Sequence, residues 1–191
     1  MKTGLGLYQK YRMVYAFYNL LLFFLRKKLL GFDVANQFLQ RVDKISLQLI
    51  LKKNGADIGR ACNIETGLIF HNCRNYNNLI IGNNCHIGKN CFFDLRDTVT
   101  IGDNAVISMK VTIITHIDMS KSVLNKHYPT EKSPVKIGLN VYIGVNATIL
   151  MGTELGENSF IAAGSIVNRN VEPYTIVGGI PAKIIKEIIL E

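Results

Sequence analysis

The chain has 191 residues, which suits one domain with an appendage, and 48% of them are hydrophobic, which argues against an intrinsically disordered protein. The formal net charge of +8 is unevenly distributed. Residues 1–53 hold ten of the 22 Lys and Arg residues but only two of the 14 Asp and Glu residues, so this segment carries the whole net charge and residues 54–191 are neutral. Because the basic residues are interleaved with a long apolar run and no known nucleic-acid-binding motif is present, a nucleic-acid-binding protein is disfavoured.

Residues 1–53 are predicted to form a basic, apolar, helical arm. The apolar run 13–25 (MVYAFYNLLLFFL) has basic residues on both sides and is shorter than the roughly 20 apolar residues that a bilayer-spanning helix needs. A secretory signal is disfavoured, because the basic cluster 26–28 directly follows the apolar run, where a signal peptide would carry a cleavage site of small residues. Two interpretations stay open for residues 1–30: helices that pack on the rest of the chain or on a neighbouring subunit, or a helix that lies peripherally on an anionic membrane.

A second helix is predicted after Gly31, because apolar residues recur there at helical spacing. These residues are Val34, Phe38, Val42, Ile45 and Leu49. The pair Asn54-Gly55 should end this helix, since Gly and Asn are the residues that most often follow a helix C-terminus.

Residues 137–172 read as six consecutive hexads, and the same pattern covers much of 54–182. An aliphatic residue opens each of the six: Ile137, Ile143, Ile149, Leu155, Ile161 and Val167. Gly is frequent at the second position and Asn at the fourth, and both tolerate the positive φ of a tight turn. Three short strand-and-turn units of this kind close a triangular coil, and stacked coils share one apolar interior. The polar segment 119–136 interrupts the period and is a candidate substrate loop.

The four cysteines, Cys62, Cys73, Cys85 and Cys91, show no CxxC pair and no zinc-finger spacing. Three of them, Cys62, Cys85 and Cys91, occupy the small inward-facing position of a hexad, where cysteine acts as a small hydrophobic residue. We therefore expect buried, reduced thiols, which are typical of a cytoplasmic protein.

Three segments resemble the hexapeptide-repeat acyltransferases. They are TIITHID (112–118), PVKIGLNVYIG (134–144) and IAAGSIV with VGGIPAKII (161–185). Within that superfamily they are similar to the sugar O-acetyltransferase branch, which includes maltose, galactoside and Nod-factor acetyltransferases and enzymes that modify surface polysaccharides. The predicted fold is mainly β: a left-handed parallel β-helix over 54–182, which the resemblance implies, with the N-terminal helices described above and a tail over 183–191 that can form a short C-terminal helix. The resemblance also implies a homotrimer that binds acetyl-CoA between adjacent subunits.

His116 is the candidate catalytic base, because a histidine can take up a proton near neutral pH and this one precedes the polar loop. In the family that it resembles, the corresponding histidine deprotonates the acceptor hydroxyl that attacks the thioester of acetyl-CoA. Asn90 matches an asparagine that family members place in the acceptor site, although asparagine is also the ordinary turn residue of the repeat. Asp94 could orient the imidazole or bind sugar hydroxyls, or be a solvated turn residue. Asp118 is two positions from His116, which on an extended segment does not by itself bring the side chains together.

The resemblance also implies a coenzyme A site, formed by Tyr142, Ala163, Gly164, Lys183 and Lys186. Tyr142 stands where many relatives have a tryptophan beside the pantetheine. Ala163 and Gly164 match a small pair whose backbone lies along the pantetheine arm, where close approach needs small residues. The two lysines match basic residues near the phosphates, and a solvated helix face is the alternative for them.

The sequence therefore predicts an acetyl-CoA-dependent O-acetyltransferase that acts on a sugar hydroxyl of a surface-polysaccharide or lipid-linked precursor, in the cytoplasm or peripherally at the inner membrane face. Three alternatives stay open: a serine O-acetyltransferase-like enzyme with His71 as the base, an amino-sugar N-acetyltransferase, and a catalytically silent solenoid scaffold. No metal is expected, because His71, His86 and His116 fall at different hexad positions and should project in different directions.

Overall fold

Three α-helices form the N-terminal arm in this computed structural model, which describes residues 3–189, with side chains from residue 10. The helices are α1 (Thr3–Leu30), α2 (Phe32–Phe38) and α3 (Lys44–Lys53), and 3-10 turns cover Leu39–Arg41 and Val123–Lys126. Helix α1 packs against both α2 and α3. Leu47 and Ile50 of α3 join the same buried cluster as Ile58 and Ile64, so α3 covers one end of the structure that follows.

The second helix predicted from the apolar spacing is divided in two at Val42 and Asp43. Val42 is extended, with φ −85° and ψ 158°, and the Asp43 carboxylate accepts a hydrogen bond from the backbone N–H of Ile45 at 3.0 Å. This N-cap starts α3 and separates it from the preceding helix, so the apolar spacing continues across a break. Helix α3 ends at Asn54-Gly55 as predicted, with a φ of 109° at Gly55.

Short strands recur throughout residues 57–187, and all except one antiparallel pair belong to three sheets. They are β1 (Asp57–Ile58), β2 (Asn63–Ile64), β3 (Ile69–His71), β4 (Leu79–Ile81), β5 (His86–Ile87), β6 (Phe92–Asp94), β7 (Val99–Ile101), β8 (Val106–Ile107), β9 (Thr112–Ile113), β10 (His116–Ile117), β11 (Glu131–Lys132), β12 (Val135–Ile137), β13 (Tyr142–Ile143), β14 (Thr148–Ile149), β15 (Glu154–Leu155), β16 (Phe160–Ile161), β17 (Ile166–Val167), β18 (Thr175–Gly178) and β19 (Lys183–Glu187). Sheet A has the order β1-β4-β7-β12-β15, sheet B β2-β5-β8-β13-β16-β18-β19, and sheet C β3-β6-β9-β14-β17. The predicted mainly β solenoid of parallel strands with N-terminal helices is confirmed.

The aliphatic residues that open the hexads form the interior of the solenoid, as predicted. The six hexad-opening side chains from Ile137 to Val167 are each at most 3% exposed. Burial of one such side chain contributes roughly 1.5–3 kcal/mol, and the stack repeats this contribution in every coil. Asn84, Asn104, Asn140 and Asn158 occupy the fourth position with φ between 55° and 58°, which explains why asparagine recurs there.

The corners of the coil differ in regularity. The regular corner joins sheet A to sheet B through a turn of four residues in each coil: 59–62, 82–85, 102–105, 138–141 and 156–159. The histidine corner joins sheet C back to sheet A, and in the first three coils it consists of 72–78, 95–98 and 114–134. The two long departures from the six-residue period therefore fall at one corner.

The polar interruption predicted at 119–136 is a loop as far as Pro134 and projects from the histidine corner, whereas Val135 and Lys136 already belong to β12. Its base is an antiparallel ribbon, in which β10 pairs with β11 so that His116 lies opposite Lys132. The Asp118 carboxylate accepts a hydrogen bond from the Thr130 hydroxyl at 3.1 Å, which holds the two sides of the loop together. The ribbon therefore fixes the backbone of His116 where the loop leaves the solenoid.

The C-terminal helix predicted over 183–191 is wrong where the structure describes it. Residues Lys183–Glu187 form β19, which pairs antiparallel with β18 at the end of sheet B. The last coil of a solenoid leaves backbone N–H and C=O groups unpaired at its edge, and the tail satisfies them. A helix of this length has little stability of its own, so pairing with the edge is preferred.

The cysteines follow the inward-facing pattern with one partial exception. Cys85 and Cys91 are buried, whereas Cys62 is half-buried, and all four cysteines of the described chain are free thiols. Burial raises the pKa of Cys85 and of Cys91 to about 11. These two thiols are therefore protonated at neutral pH and act as small core residues.

Candidate active site at the histidine corner

A column of polar side chains crosses three consecutive coils at the histidine corner. Asn72 follows β3, Asp94 ends β6, and His116 begins β10 shortly after β9. Because β3, β6 and β9 are parallel neighbours in sheet C, residues at matching ends of these strands lie one above another. The register therefore brings together side chains that are 22 positions apart along the chain.

The Asp94 carboxylate lies at the centre of this column and is 1% exposed. Its Oδ2 atom lies 2.6 Å from Nδ1 of His116 and accepts hydrogen bonds from the backbone N–H and the hydroxyl of Thr115 at 2.8 and 2.9 Å. Its Oδ1 atom accepts a hydrogen bond from the Asn72 amide at 3.2 Å. Both oxygens are thus satisfied, which is the condition for burying a carboxylate.

The pKa of Asp94 lies below its ordinary value of 3.8 although the group is buried. Burial by itself raises this pKa, because a low-dielectric environment disfavours the charged form. The hydrogen bond with His116 lowers the pKa, and the donors of Thr115 and Asn72 lower it further and outweigh burial. The carboxylate is therefore negatively charged at neutral pH and holds a proton on Nδ1 of the imidazole.

The His116 side chain is 17% exposed, and its Nε2 atom is the ring nitrogen that Asp94 does not use. The Asn72 amide nitrogen lies 3.2 Å from Nε2 and 3.5 Å from Nδ1. Two nearly equal distances place this amide over the ring, because a donor along the Nε2 lone pair would be much farther from Nδ1. Among the described residues the Nε2 lone pair is therefore open to the proton of a bound group.

A cavity of about 860 Å³ adjoins the column and lies between α2 and the histidine corner. Asn72 lines this cavity and also contacts His116, so the cavity and the imidazole are neighbours. The polar lining consists of Asp33, Asn36, Gln37, Gln40, His71, Asn72, Arg74 and Arg96. Amide and guanidinium groups can donate hydrogen bonds to the hydroxyl and carboxylate oxygens of a polar ligand, and amide oxygens can accept hydrogen bonds from its hydroxyls.

Two hydrogen bonds hold α2 in place as a wall of this cavity. The hydroxyl of the buried Tyr76 donates to Oδ1 of Asn36 at 3.0 Å, and the Asn36 amide donates to the carbonyl of Phe70 at 2.6 Å. The N-terminal arm is thus part of the site and not only a cover for the end of the solenoid.

Of the three residues predicted as catalytic, the structure brings together His116 and Asp94 but not Asn90. Asn90 lies in the turn before β6, at the opposite end of the strand that Asp94 ends, and its φ of 58° marks an ordinary turn position. Asp118 forms an ion pair with Arg96 at 3.8 Å and is not the carboxylate that contacts the imidazole.

The described side chains of His71, His86 and His127 form no hydrogen bond with Asp94 or His116, although His71 pairs with Asp94 in the register of sheet C. His71 ends β3, lines the cavity and contacts the ring of Phe92 with 5.7 Å between centroids, and His86 lies 3.2 Å from the Asn63 amide on sheet B. Within residues 3–189, no three His, Cys, Asp or Glu side chains are grouped so as to hold a metal ion.

The residues predicted to bind coenzyme A are all exposed and occupy sheet B and its edge, on the side of the coil opposite the histidine corner. They are Tyr142 in β13, Ala163 and Gly164 in the turn after β16, and Lys183 and Lys186 in β19. The Tyr142 ring stacks on Phe160 with 4.6 Å between centroids. One copy of the chain does not bring these residues to His116.

Sequence reasoning missed Asn72, Thr115 and the α2 wall of the cavity. The usable signal was the position of the interruptions, because 72–78 and 114–134 both follow strands of sheet C and must share a corner. Asn72 is the first residue of one interruption, and Thr115 directly precedes His116 in the other. The α2 wall had no sequence signal, because its position depends on tertiary packing.

A family model described as a hexapeptide repeat of succinyl-transferase matches residues 78–114 and 134–169. The galactoside O-acetyltransferase of Escherichia coli (strain K12) is 32% identical over 165 residues, which cover 86% of this chain and 78% of that protein. Among solved structures, a hexapeptide-repeat-containing acetyltransferase from Vibrio cholerae aligns with a TM-score of 0.70 and 27% identity, over 80% of this chain and 85% of that one. A galactoside acetyltransferase in complex with coenzyme A aligns with a TM-score of 0.62 and 31% identity, over 75% of this chain and 70% of that one.

Proposed function

The chain belongs to the hexapeptide-repeat acetyltransferases, and from this membership we propose that it transfers an acetyl group from acetyl-CoA to a sugar hydroxyl, with His116 as the general base. The observation that carries the proposal is the 2.6 Å contact between His116 Nδ1 and the buried Asp94 carboxylate, beside a polar cavity. A histidine oriented by a charged partner is the arrangement that general-base catalysis needs.

The reaction follows from the protonation of the two ring nitrogens. Asp94 keeps a proton on Nδ1, so Nε2 is the basic atom and takes the proton of the acceptor hydroxyl. The hydroxyl oxygen forms a bond to the carbonyl carbon of the thioester, and the tetrahedral intermediate breaks its C–S bond. The departing thiolate takes the proton back from Nε2, so the products are the acetylated sugar and coenzyme A. Asn72, which lies over the ring, limits its rotation during these steps.

The cavity between α2 and the histidine corner is the proposed acceptor site. Its volume of about 860 Å³ is near the upper end of the range for small-molecule sites, which is roughly 300–1,000 Å³, and suits an acceptor of more than one sugar ring. Gln37 and Gln40 offer amides to sugar hydroxyls, and Arg74 suits an acceptor that carries a carboxylate or phosphate. These features support a surface-polysaccharide or lipid-linked precursor as the acceptor.

Acetyl-CoA would bind between two copies of the chain in a homotrimer. Side-by-side packing can set sheet B of one copy against the histidine corner of the next, and such head-to-tail contacts close into a ring. Tyr142 pairs with Val106, which belongs to the coil that ends at His116. Tyr142 and His116 therefore lie at a similar level along the axis of the solenoid. In sheet B, β13 is followed by β16, β18 and β19, so coenzyme A would extend from Tyr142 across these strands. Its phosphates would then contact Lys183 and Lys186 of β19.

Removal of the imidazole tests the base. With labelled acetyl-CoA and a panel of neutral and acidic sugars, we expect His116→Ala to lower kcat by about 10²–10⁴, because a general base is lost. Asn158→Gly removes a side chain from the regular corner, where its φ of 57° is one that glycine adopts freely, and is the matched control, with activity expected within about twofold of the unaltered protein. A loss of less than about threefold in His116→Ala would contradict the proposed role.

The same assay separates the alternatives. Transfer to an amino sugar but to no hydroxyl would favour an N-acetyltransferase, and transfer to serine that depends on His71 would favour a serine O-acetyltransferase. Calorimetry that detects no binding of coenzyme A would favour a scaffold without catalysis. Sedimentation equilibrium tests the assembly, and a mass other than three chains would contradict the trimer.

A further inference from the structure

Helix α1 is apolar on the side that faces away from the rest of the protein. Ala16, Asn19 and Phe23 are buried on the side that packs against α2 and α3. Six residues at helical spacing form what we term the α1 stripe, and they are 45–74% exposed: Tyr11, Val14, Tyr18, Leu21, Leu25 and Leu29. The outer side of a surface helix normally carries polar residues, and a contiguous apolar patch there marks an interaction surface.

Basic residues border the α1 stripe, and α1 contains no acidic residue. Lys10 and Lys28 are exposed towards its two ends. Arg26 lies over an aromatic ring, and Lys27 donates a hydrogen bond to the residue that caps α3, so these two are engaged inside the arm. Because residues 1–53 carry +8, the surface that holds the stripe is suited to a negatively charged partner.

The dimensions and the charge of the stripe favour a lipid surface. No helix within residues 3–189 is long and apolar enough to cross a membrane. A helix with one exposed apolar side and flanking lysines lies along the bilayer surface, with aromatic and leucine side chains at the acyl boundary and the ammonium groups at the headgroups.

A second copy of the chain fits the stripe less well. Pairing two α1 stripes would bring together two arms that each carry +8, and like charges oppose that contact. Anionic headgroups complement the same charge. We propose that the α1 stripe docks the protein on the surface of an anionic lipid bilayer.

Docking would also place the acceptor cavity near the membrane, and this consequence rests on the proposed function. Gly31 alone separates α1 from α2, and α2 forms one wall of the cavity. A glycan that grows on a lipid carrier would therefore be presented at the height of the cavity. The docking itself depends on α1 and does not depend on the identity of the acceptor.

Co-sedimentation of the full chain with vesicles tests the docking. Binding is expected to vesicles of phosphatidylcholine and phosphatidylglycerol, and at least about tenfold weaker binding to phosphatidylcholine alone. The double variant L21Q/L25Q should bind the anionic vesicles at least about tenfold more weakly, because two apolar side chains no longer enter the acyl boundary. Replacement of Lys10 and Lys28 by Gln should weaken binding by about fivefold for each lysine.

The matched control is V123Q/L124Q, which removes two exposed apolar side chains from the projecting loop and should bind as the unaltered protein does. Equal binding by L21Q/L25Q and the unaltered protein would overturn the proposal. A change in the oligomeric state of L21Q/L25Q in the absence of vesicles would also overturn it, because the α1 stripe would then contact a second copy of the chain. Acetyl transfer to a soluble sugar, measured in parallel, distinguishes failed docking from a failed proposal for the reaction.

Discussion

The regular corner and the histidine corner belong to the same coils, but they place polar side chains in opposite environments. At the regular corner, asparagines of successive coils are linked along the outside by hydrogen bonds of 2.9 Å, from Asn84 to Asn104 and from Asn140 to Asn158. At the histidine corner, the Asp94 carboxylate is nearly fully buried and forms its hydrogen bonds with Asn72, Thr115 and His116. The first arrangement repeats from coil to coil, whereas the second occurs where the coil lengths change.

The difference shows what a solenoid requires before it can bury a charge. At the regular corner Asp103 is exposed and accepts a hydrogen bond from the backbone N–H of Asn83 at 2.7 Å, so water completes its solvation. Asp94 has no such access and depends on donors from two neighbouring coils. The long segments 72–78 and 114–134 supply those donors, because they are free of the repeating turn geometry.

The largest effect is expected when the two carboxylates are exchanged for amides. Asp94→Asn should lower kcat by about 10²–10⁴, because an amide in this place no longer holds the proton of the imidazole on Nδ1. Asp103→Asn makes the same change at the regular corner and should leave kcat within about twofold. Steady-state kinetics, with thermal unfolding to verify that both variants fold, would make the comparison. Similar losses in the two variants would contradict the special role of the histidine corner.

A smaller effect is expected from removing one amide at each corner. Asn72 and Asn104 both have positive φ, 53° and 58°, so glycine preserves the backbone in either place. Asn72→Gly should lower kcat by about tenfold, because the contact with Asp94 and the cover over the imidazole are lost. Asn104→Gly loses a comparable hydrogen bond and should leave kcat unchanged. If Asn104→Gly slowed the reaction as much, the effect would be structural and not local to His116.

The smallest effect concerns the dependence of stability on pH. The pKa of Asp94 is lowered in the folded protein, so its ionised form stabilises the fold above about pH 4, and this contribution is lost as the pH falls through the lowered pKa. Asp94→Asn removes this term, and its free energy of unfolding should fall less between pH 5 and pH 3, as measured by urea denaturation. Parallel curves for the variant and the unaltered protein would show that the hydrogen bonds at Asp94 do not lower its pKa.

The accuracy of sequence reasoning also differs between regions. The hexads from Ile137 onward were assigned correctly, because each aliphatic residue has the same role in every coil. The apolar spacing after Gly31 predicted one helix, since spacing alone does not show the break that the Asp43 cap introduces. The C-terminal residues fitted a helix by composition, but the open edge of β18 made a strand the better structure.

The sequence by itself determined the solenoid, its inward-facing residues, its asparagine turns and the position of His116 at the base of a loop, because a six-residue period is a local property of the chain. Only the tertiary structure decided which carboxylate would meet His116. Asp94 and Asn72 lie 22 and 44 residues from it, and they reach it because parallel strands of sheet C stack in register. The apolar outer side of α1 was decided in the same way, since packing selects which side of an apolar helix is buried.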